Sequence, residues 1–170
     1  MDGSGLLGEV CAVSRLTDYL TSKGVAFEVL THERAFTGID EARALGIDAD
    51  EVLKTVILDT GGEHVALVLP GGERLDMALV REAVGDPDAH LATEDELTRD
   101  FGGFELGSLP PIGSLLAVPV IIDPEVREHG PVVFAAGSQT ESVKVDAAAL
   151  FAAVPARVAP LTEAWALGRS

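Results

Sequence analysis

Two apolar runs separated by a pair of glycines constrain this chain most: VLKTVILDT over 52–60 and HVALVLPG over 64–71. Gly61-Gly62-Glu63 between them predicts an antiparallel hairpin. Side chains alternate along a strand, so Val52, Lys54, Val56 and Leu58 share one face, and Leu53, Thr55, Ile57 and Asp59 the other. Both faces are apolar, which places the strand at the centre of a sheet. With 170 residues, 47% of them hydrophobic, the chain can build such a core within one domain, 1–170. Aromatics are only 5%, so Val, Leu, Ile and Ala must fill it.

The flanking segments alternate between the two periodicities. Val10, Val13, Leu16, Thr17 and Leu20 form a helical stripe that ends near Gly24, and VAFEVL (25–30) reads as a strand. Thr37 is placed to cap a short helix, IDEARALG, with Asp40 and Glu41 in its first turn and Gly46 as its stop. DMALVREAVG (76–85) and TEDELTRDFG (93–102) read as helices, the second with Thr93 and Glu96 spaced as a capping box. Strands follow at 116–123, 131–137 and 142–145, with a closing helix at 146–154. Hairpins dominate, so the expected fold class is α+β (mixed α/β): a single compact domain with a central, mostly antiparallel sheet flanked by helices.

Lys54 is the most informative residue. The chain has three lysines, Lys23, Lys54 and Lys144, and only this one lies within an apolar strand. A buried ammonium needs a pocket or a partner, so Lys54 is either a catalytic or binding group or a paired structural lysine. GGFELGSLPPIG (102–113) packs four glycines and two prolines into twelve residues, which fits neither helix nor strand. Such a loop can aim backbone N–H groups at an anion or an oxyanion, or can serve as irregular structure. AAGSQT (135–140) is either one wall of a narrow site or a tight hairpin.

Several classes are excluded. His32, His64, His90 and His129 show no metal-ligand spacing and Cys11 is the only cysteine, so no metal and no cofactor is expected. Cys11 itself reads as a small core residue on the first helix. No GxSxG elbow is present. With 28 Asp+Glu against 12 Lys+Arg, a net charge of −16 disfavours DNA and anionic membranes as partners. MDGSGLLGEV at the start carries acids where a secretory signal carries positive charge, so a cytoplasmic location is expected.

Taken in order, these features resemble the YbaK/prolyl-tRNA-synthetase-associated domain family, over about 16–150. The matching pieces are His32 and Thr37 before EARALG, Lys54-Thr55 in VLKTVIL, the loop through Gly103, Gly107, Pro111 and Gly113, and Ala136-Gly137 before the last strand. The resemblance implies hydrolysis, in trans, of mischarged aminoacyl-tRNA, with a small amino acid on tRNA(Pro) as substrate and prolyl-tRNA synthetase as a possible partner. It implies that Lys54 holds the aminoacyl carbonyl or a phosphate, and that N–H groups near Gly107 and Ser108, with Gly137, stabilise the oxyanion. His32, Thr37, Thr55, Pro111, Gly113 and Ser138 are then the expected substrate-binding residues. The attacking group is water, the ribose 2′-OH or a substrate thiol.

Ser108 and Pro110 depart from the family's loop, and Ala135 and Gln139 argue against its alanine-editing branch. A chain this acidic is expected to bind tRNA weakly alone, unless Arg15, Arg34, Arg43, Arg74 and Arg81 cluster in the fold. Two rivals stand beside the deacylase: a non-catalytic module that contacts a synthetase, and an amine-catalysing enzyme with Lys54 forming a Schiff base.

Overall fold

The structure, a computed structural model, describes residues 11–168. Val10 and the acidic start of the chain lie outside the described residues. The elements in chain order are α1 (Ala12–Ser22), β1 (Glu28–Thr31), α2 (Gly38–Leu45), β2 (Val52–Thr60), β3 (Glu63–Pro70), α3 (Met77–Val84), β4 (His90–Leu91), α4 (Glu94–Asp100), α5 (Gly113–Leu116), β5 (Val120–Ile122), α6 (Pro124–Glu128), β6 (Pro131–Ser138), β7 (Glu141–Asp146), α7 (Ala147–Ala153), β8 (Arg157–Val158) and α8 (Glu163–Gly168). Among the described residues no helix is long and apolar enough to cross a membrane.

The hairpin forms as its glycines dictate. β2 and β3 pair antiparallel from Leu53↔Pro70 to Thr60↔Glu63. Gly61 and Gly62 turn the chain with φ of 71° and 97°, the positive values that a two-residue type I′ loop requires. The hairpin is central in the sheet order β1-β7-β6-β2-β3-β5-β8, with β4 attached separately to the far end of β2. β1 with β7, β6 with β7, β2 with β3 and β2 with β4 are antiparallel, while β2 with β6, β3 with β5 and β5 with β8 are parallel.

Neighbouring residues of the hairpin feed opposite layers. Leu53, Ile57, Ala66 and Val68 enter the larger core with Leu16 and Leu20 of α1, Phe134 of β6 and Leu150 of α7. Leu58 and Leu67 enter a second cluster with Val80 of α3, Ile121 and Leu161. Leu16 and Leu20 are fully buried, and each contributes about 1.5–3 kcal/mol by leaving water.

Local chemistry sets the helix ends. Thr37 Oγ1 accepts the Asp40 amide at 3.0 Å, and Gly46 stops α2 with φ of 70°. At α4, Thr93 Oγ1 accepts the Glu96 amide at 3.1 Å while Glu96 returns the contact to the Thr93 amide at 2.9 Å. The strand predicted over 116–123 is shorter than expected. Residues 113–116 make one helical turn, Ala117 turns the chain at φ 60°, and pairing begins only at Val120. Apolar composition alone does not distinguish a buried turn from a buried strand. Cys11 is not a core residue: it caps α1 and is exposed.

Candidate active site

A break in the sheet creates the site. β6 pairs with β2 only at Val52↔Val133 and Leu53↔Phe134, and β4 rejoins β2 only at Leu58 and Asp59. Between these points, and among the described residues, the edge of β2 away from β3 has no strand partner around Lys54, Thr55 and Val56. β6 leaves β2 after Phe134 and is itself irregular against β7 between Ala135 and Ser138, where Gly137 adopts φ 94°. Gly107 of the 102–113 loop and the first turn of α2 line the opening.

The resulting cavity, about 370 Å³, is lined by Lys54, Thr55 and Val56 of β2, by Phe36, Thr37, Gly38 and Ile39 at the start of α2, and by Gly71 and Gly107. Burial lowers the Lys54 pKa below its ordinary 10.5, with Glu73 opposing the shift and Arg74 adding to it. Thr55 Oγ1 is buried without a hydrogen-bond partner. An orphaned hydroxyl costs about 1–3 kcal/mol. The amides of Gly38 and Ile39 open α2, where no intrahelical acceptor exists for them. Half-buried Lys54 and the first turn of α2, with two amides that lack intrahelical acceptors, thus border a common space, which suits a carbonyl or an anion.

Close backbone contacts hold this arrangement. A Cβ on Gly38 would lie 3.0 Å from Gly71 Cα, and one on Gly71 would lie 3.0 Å from the Ala49 carbonyl oxygen. Glycine at both positions lets α2 rest directly on the end of β3. This pairing, together with Phe36, Ile39 and Val56, was not singled out from the sequence. Adjacency of residues 38 and 71 is a tertiary fact.

The structure brings Thr37, Lys54, Thr55 and Gly107 to the cavity and places the other expected residues elsewhere. Ser108 is buried, its amide and hydroxyl both donating to the Glu105 carbonyl at 3.1 and 2.6 Å. The Gly137 amide donates to the Ser108 carbonyl at 2.9 Å, and the Glu105 amide to the Gly137 carbonyl at 3.1 Å. The Gly137 and Glu105 amides therefore clamp the loop to β6 and the Ser108 amide closes a turn within the loop, while the amide of Gly107 has no acceptor among the described residues. His32 lies between the Ser142 hydroxyl (2.8 Å) and the Glu33 carbonyl (2.6 Å), outside the cavity lining. Ser142 donates in turn to buried Glu41, whose carboxyl burial pushes above its usual value.

Pro111 is buried, and Gly113 lines a different and larger cavity of about 610 Å³, where Arg157 is the only titratable side chain among the described residues. The Ser138 hydroxyl contacts Thr140 Oγ1 at 3.0 Å. Gln139, read from the sequence only as a departure from the alanine branch, organises the loop. Its amide donates to Glu105 (2.6 Å), its side chain donates to the Leu106 carbonyl (2.8 Å), and Arg34 donates to it (2.6 Å). The five arginines have separate partners: Arg15 over Phe104, Arg34 at Gln139, Arg43 by Asp40, Arg81 at the Ala89 carbonyl, and Arg74 near Lys54.

Residues 32–153 match the model of the aminoacyl-tRNA editing domain. Proline–tRNA ligase of Acidithiobacillus ferrooxidans is 30% identical over 87 residues, covering 51% of this chain and 15% of the ligase. That of Pelobacter propionicus is 29% identical over 101 residues, covering 59% and 17%. The chain thus spans a small part of these relatives. Among solved structures, a hypothetical protein superposes with a TM-score of 0.80 at 24% identity, covering 88% of this chain and 99% of that one. A candidate trans-editing enzyme for prolyl-tRNA synthetase superposes at 0.77 and 24%, covering 89% and 97%. At those identities the likeness shows the fold, while the family model covers most of the chain. With its Lys54-Thr55 strand and Gly/Pro loop on one cavity, the chain belongs to the aminoacyl-tRNA editing domain family, the YbaK-like group related to prolyl-tRNA synthetase.

Proposed function

We propose that this protein is a hydrolase that deacylates mischarged aminoacyl-tRNA in trans, removing a small amino acid from tRNA(Pro). The observation that carries the reading is the convergence of half-buried Lys54 and the α2 N-terminal amides on one cavity. An aminoacyl ester is already activated, so catalysis needs a polarised carbonyl and a positioned nucleophile more than a strong protein nucleophile. The lining offers the first. Lys54 and the Gly38 and Ile39 amides are donors for the carbonyl oxygen as it becomes an oxyanion. Phe36, Ile39 and Val56 give the amino-acid side chain an apolar wall. Among the described residues no His, Cys, Asp or Glu lines the cavity, which favours water, the ribose 2′-OH or a substrate thiol as the attacking group.

Discrimination against a correctly charged tRNA follows from volume. A synthetase gains only about 1–3 kcal/mol against a substrate lacking a methylene, and a second small site that hydrolyses the lesser product restores accuracy. With a net charge of −16, the chain is expected to bind tRNA weakly alone and with steep salt dependence. A synthetase partner would supply the missing phosphate contacts.

A non-catalytic module that contacts a synthetase is the second reading, favoured by the internal use of the Ser108 and Gly137 amides. Deacylation of Cys-, Ala- and Ser-tRNA(Pro) separates the two. Hydrolysis lost in Lys54→Ala supports the deacylase. Absence of hydrolysis on all three, with stable capture of prolyl-tRNA synthetase, supports the module. Borohydride trapping of a carbonyl compound on Lys54 would favour amine catalysis instead.

A further inference from the structure

At the opposite end of β2 from the cavity, Asp59 is the cross-strand partner of both His64 on β3 and His90 on β4. It lies five residue steps along the strand from Lys54, roughly 16 Å at about 3.3 Å per residue. Glu96 of α4 completes the group: one ligating atom each from Asp59, His90 and Glu96 lie within 4.8 Å of one another. Spacing along the chain conceals this cluster, since its members come from a strand, a two-residue strand and a helix.

Three features distinguish it from an ordinary surface ion pair. First, each side chain has one atom held by the protein. The Gly62 amide donates to Asp59 Oδ1 at 2.9 Å, the Thr93 amide donates to Glu96 Oε1 at 2.9 Å, and His90 Nδ1 faces the Asp88 carbonyl at 3.3 Å. Second, that last contact favours the tautomer with its proton on Nδ1, which leaves the Nε2 lone pair 3.8 Å from Asp59 Oδ2. Third, the nearby cations are committed to another acid. Arg99 donates to both oxygens of Asp100 at 2.9 and 3.0 Å, and His64 Nε2 lies 2.8 Å from the same carboxylate. Two carboxyl groups within hydrogen-bond reach of each other and an imidazole lone pair thus converge.

We propose that Asp59, His90 and Glu96 form a binding site for a divalent transition-metal ion of the Zn²⁺ class. One imidazole nitrogen and two carboxylate oxygens are donors that Zn²⁺ accepts, and its charge offsets the two acids. Tetrahedral ligation at about 2.1 Å sets ligand atoms roughly 3.3–3.5 Å apart, within reach of small rotamer adjustments. The Asp59 side chain is 13% exposed and that of His90 60%, so an ion enters freely and water completes its shell. The ion ties β4 and α4 to β2 and fixes the helix that leads into the 102–113 loop. Its role is structural, remote from the cavity.

The test is Zn²⁺ titration of the chelator-treated protein in competition with a chromogenic chelator, together with Co²⁺ absorption. Expected are one saturable ion per chain, a rise in Tm with Zn²⁺, and at least about tenfold weaker binding in His90→Gln, Asp59→Asn and Glu96→Gln. Asn and Gln keep the oxygens that accept the Gly62 and Thr93 amides, so the unloaded variants retain the wild-type Tm. Cys11→Ser and His129→Gln are expected to bind as the wild type does. No saturable binding up to about 1 mM Zn²⁺ overturns the proposal, as does binding that the three variants leave unchanged or that Cys11→Ser or His129→Gln abolishes.

Discussion

The carbonyl oxygen of Phe36 occupies the space that a side chain on Gly107 would need: a Cβ there would stand 2.1 Å from it. Gly107 also has φ 80°, so glycine is required twice, for its backbone conformation and for the close approach of α2. Because the obstructing atom belongs to the backbone, no rotamer change relieves the clash.

Gly107→Ala is therefore expected to destabilise the protein by more than about 1–2 kcal/mol, a fall of several degrees in Tm. It also displaces the first turn of α2, so deacylation falls beyond what the folded fraction explains. Thermal melts and kcat/KM measured well below Tm check both. A wild-type Tm would show that the loop moves away from Phe36.

Lys54→Met retains the alkyl chain and removes the ammonium. Burial disfavours that charge, so the variant is expected to fold with undiminished Tm while deacylation drops by about 10²–10³-fold. The pH profile follows from the same shift. A lysine whose folded pKa lies below 10.5 loses its proton earlier in the native state, so activity declines on the alkaline side before pH 10.5. Over that interval the group's contribution to fold stability rises with pH, because the unfolded state binds the extra proton. Lys54→Arg keeps its charge and abolishes the alkaline decline of whatever activity remains.

Glu41 is buried and receives the Ser142 hydroxyl, with His32 on the other side of that serine. Burial raises its pKa above the ordinary 4.5, against the opposing effects of Ser142 and His32. The stability it contributes is fully present below pH 4.5 and is lost as pH rises through the raised value. Glu41→Gln is expected to flatten that slope and to melt no lower than wild type at pH 8. Ser142→Ala leaves the carboxyl without its donor and costs about 1–3 kcal/mol. Denaturant unfolding across pH measures both.

Cys11 is exposed, and its thiol pKa is lowered chiefly by a hydrogen bond with the Ser14 side chain, 3.3 Å away. Native protein is expected to react with a disulfide reagent at pH 7 without unfolding, and Ser14→Ala to slow that reaction. Titration only after denaturant is added would restore the core placement.

Much of the local structure is legible in the sequence because local chemistry specifies it. The Gly61-Gly62 turn, the Thr37 and Gly46 ends of α2 and the Thr93–Glu96 box depend on residues within four positions of one another, and each forms as their types require. The elements read less well are those whose apolar residues fit two periods, such as 113–119, or that are two residues long, such as β4 and β8.

The sequence by itself determined the central hairpin, the helix caps and a lysine set into an apolar strand, because strand period, turn preference and the cost of burying a charge act over short range. Tertiary structure decided what that lysine faces and which backbone donors stay free. The gap between β6 and β4 opens the cavity, Gly38 lies on Gly71, and Ser108 and Gly137 spend their amides on holding the loop. A backbone N–H is the same group at every position. Whether it meets a carbonyl of its own chain or an open cavity depends on which distant segments arrive beside it.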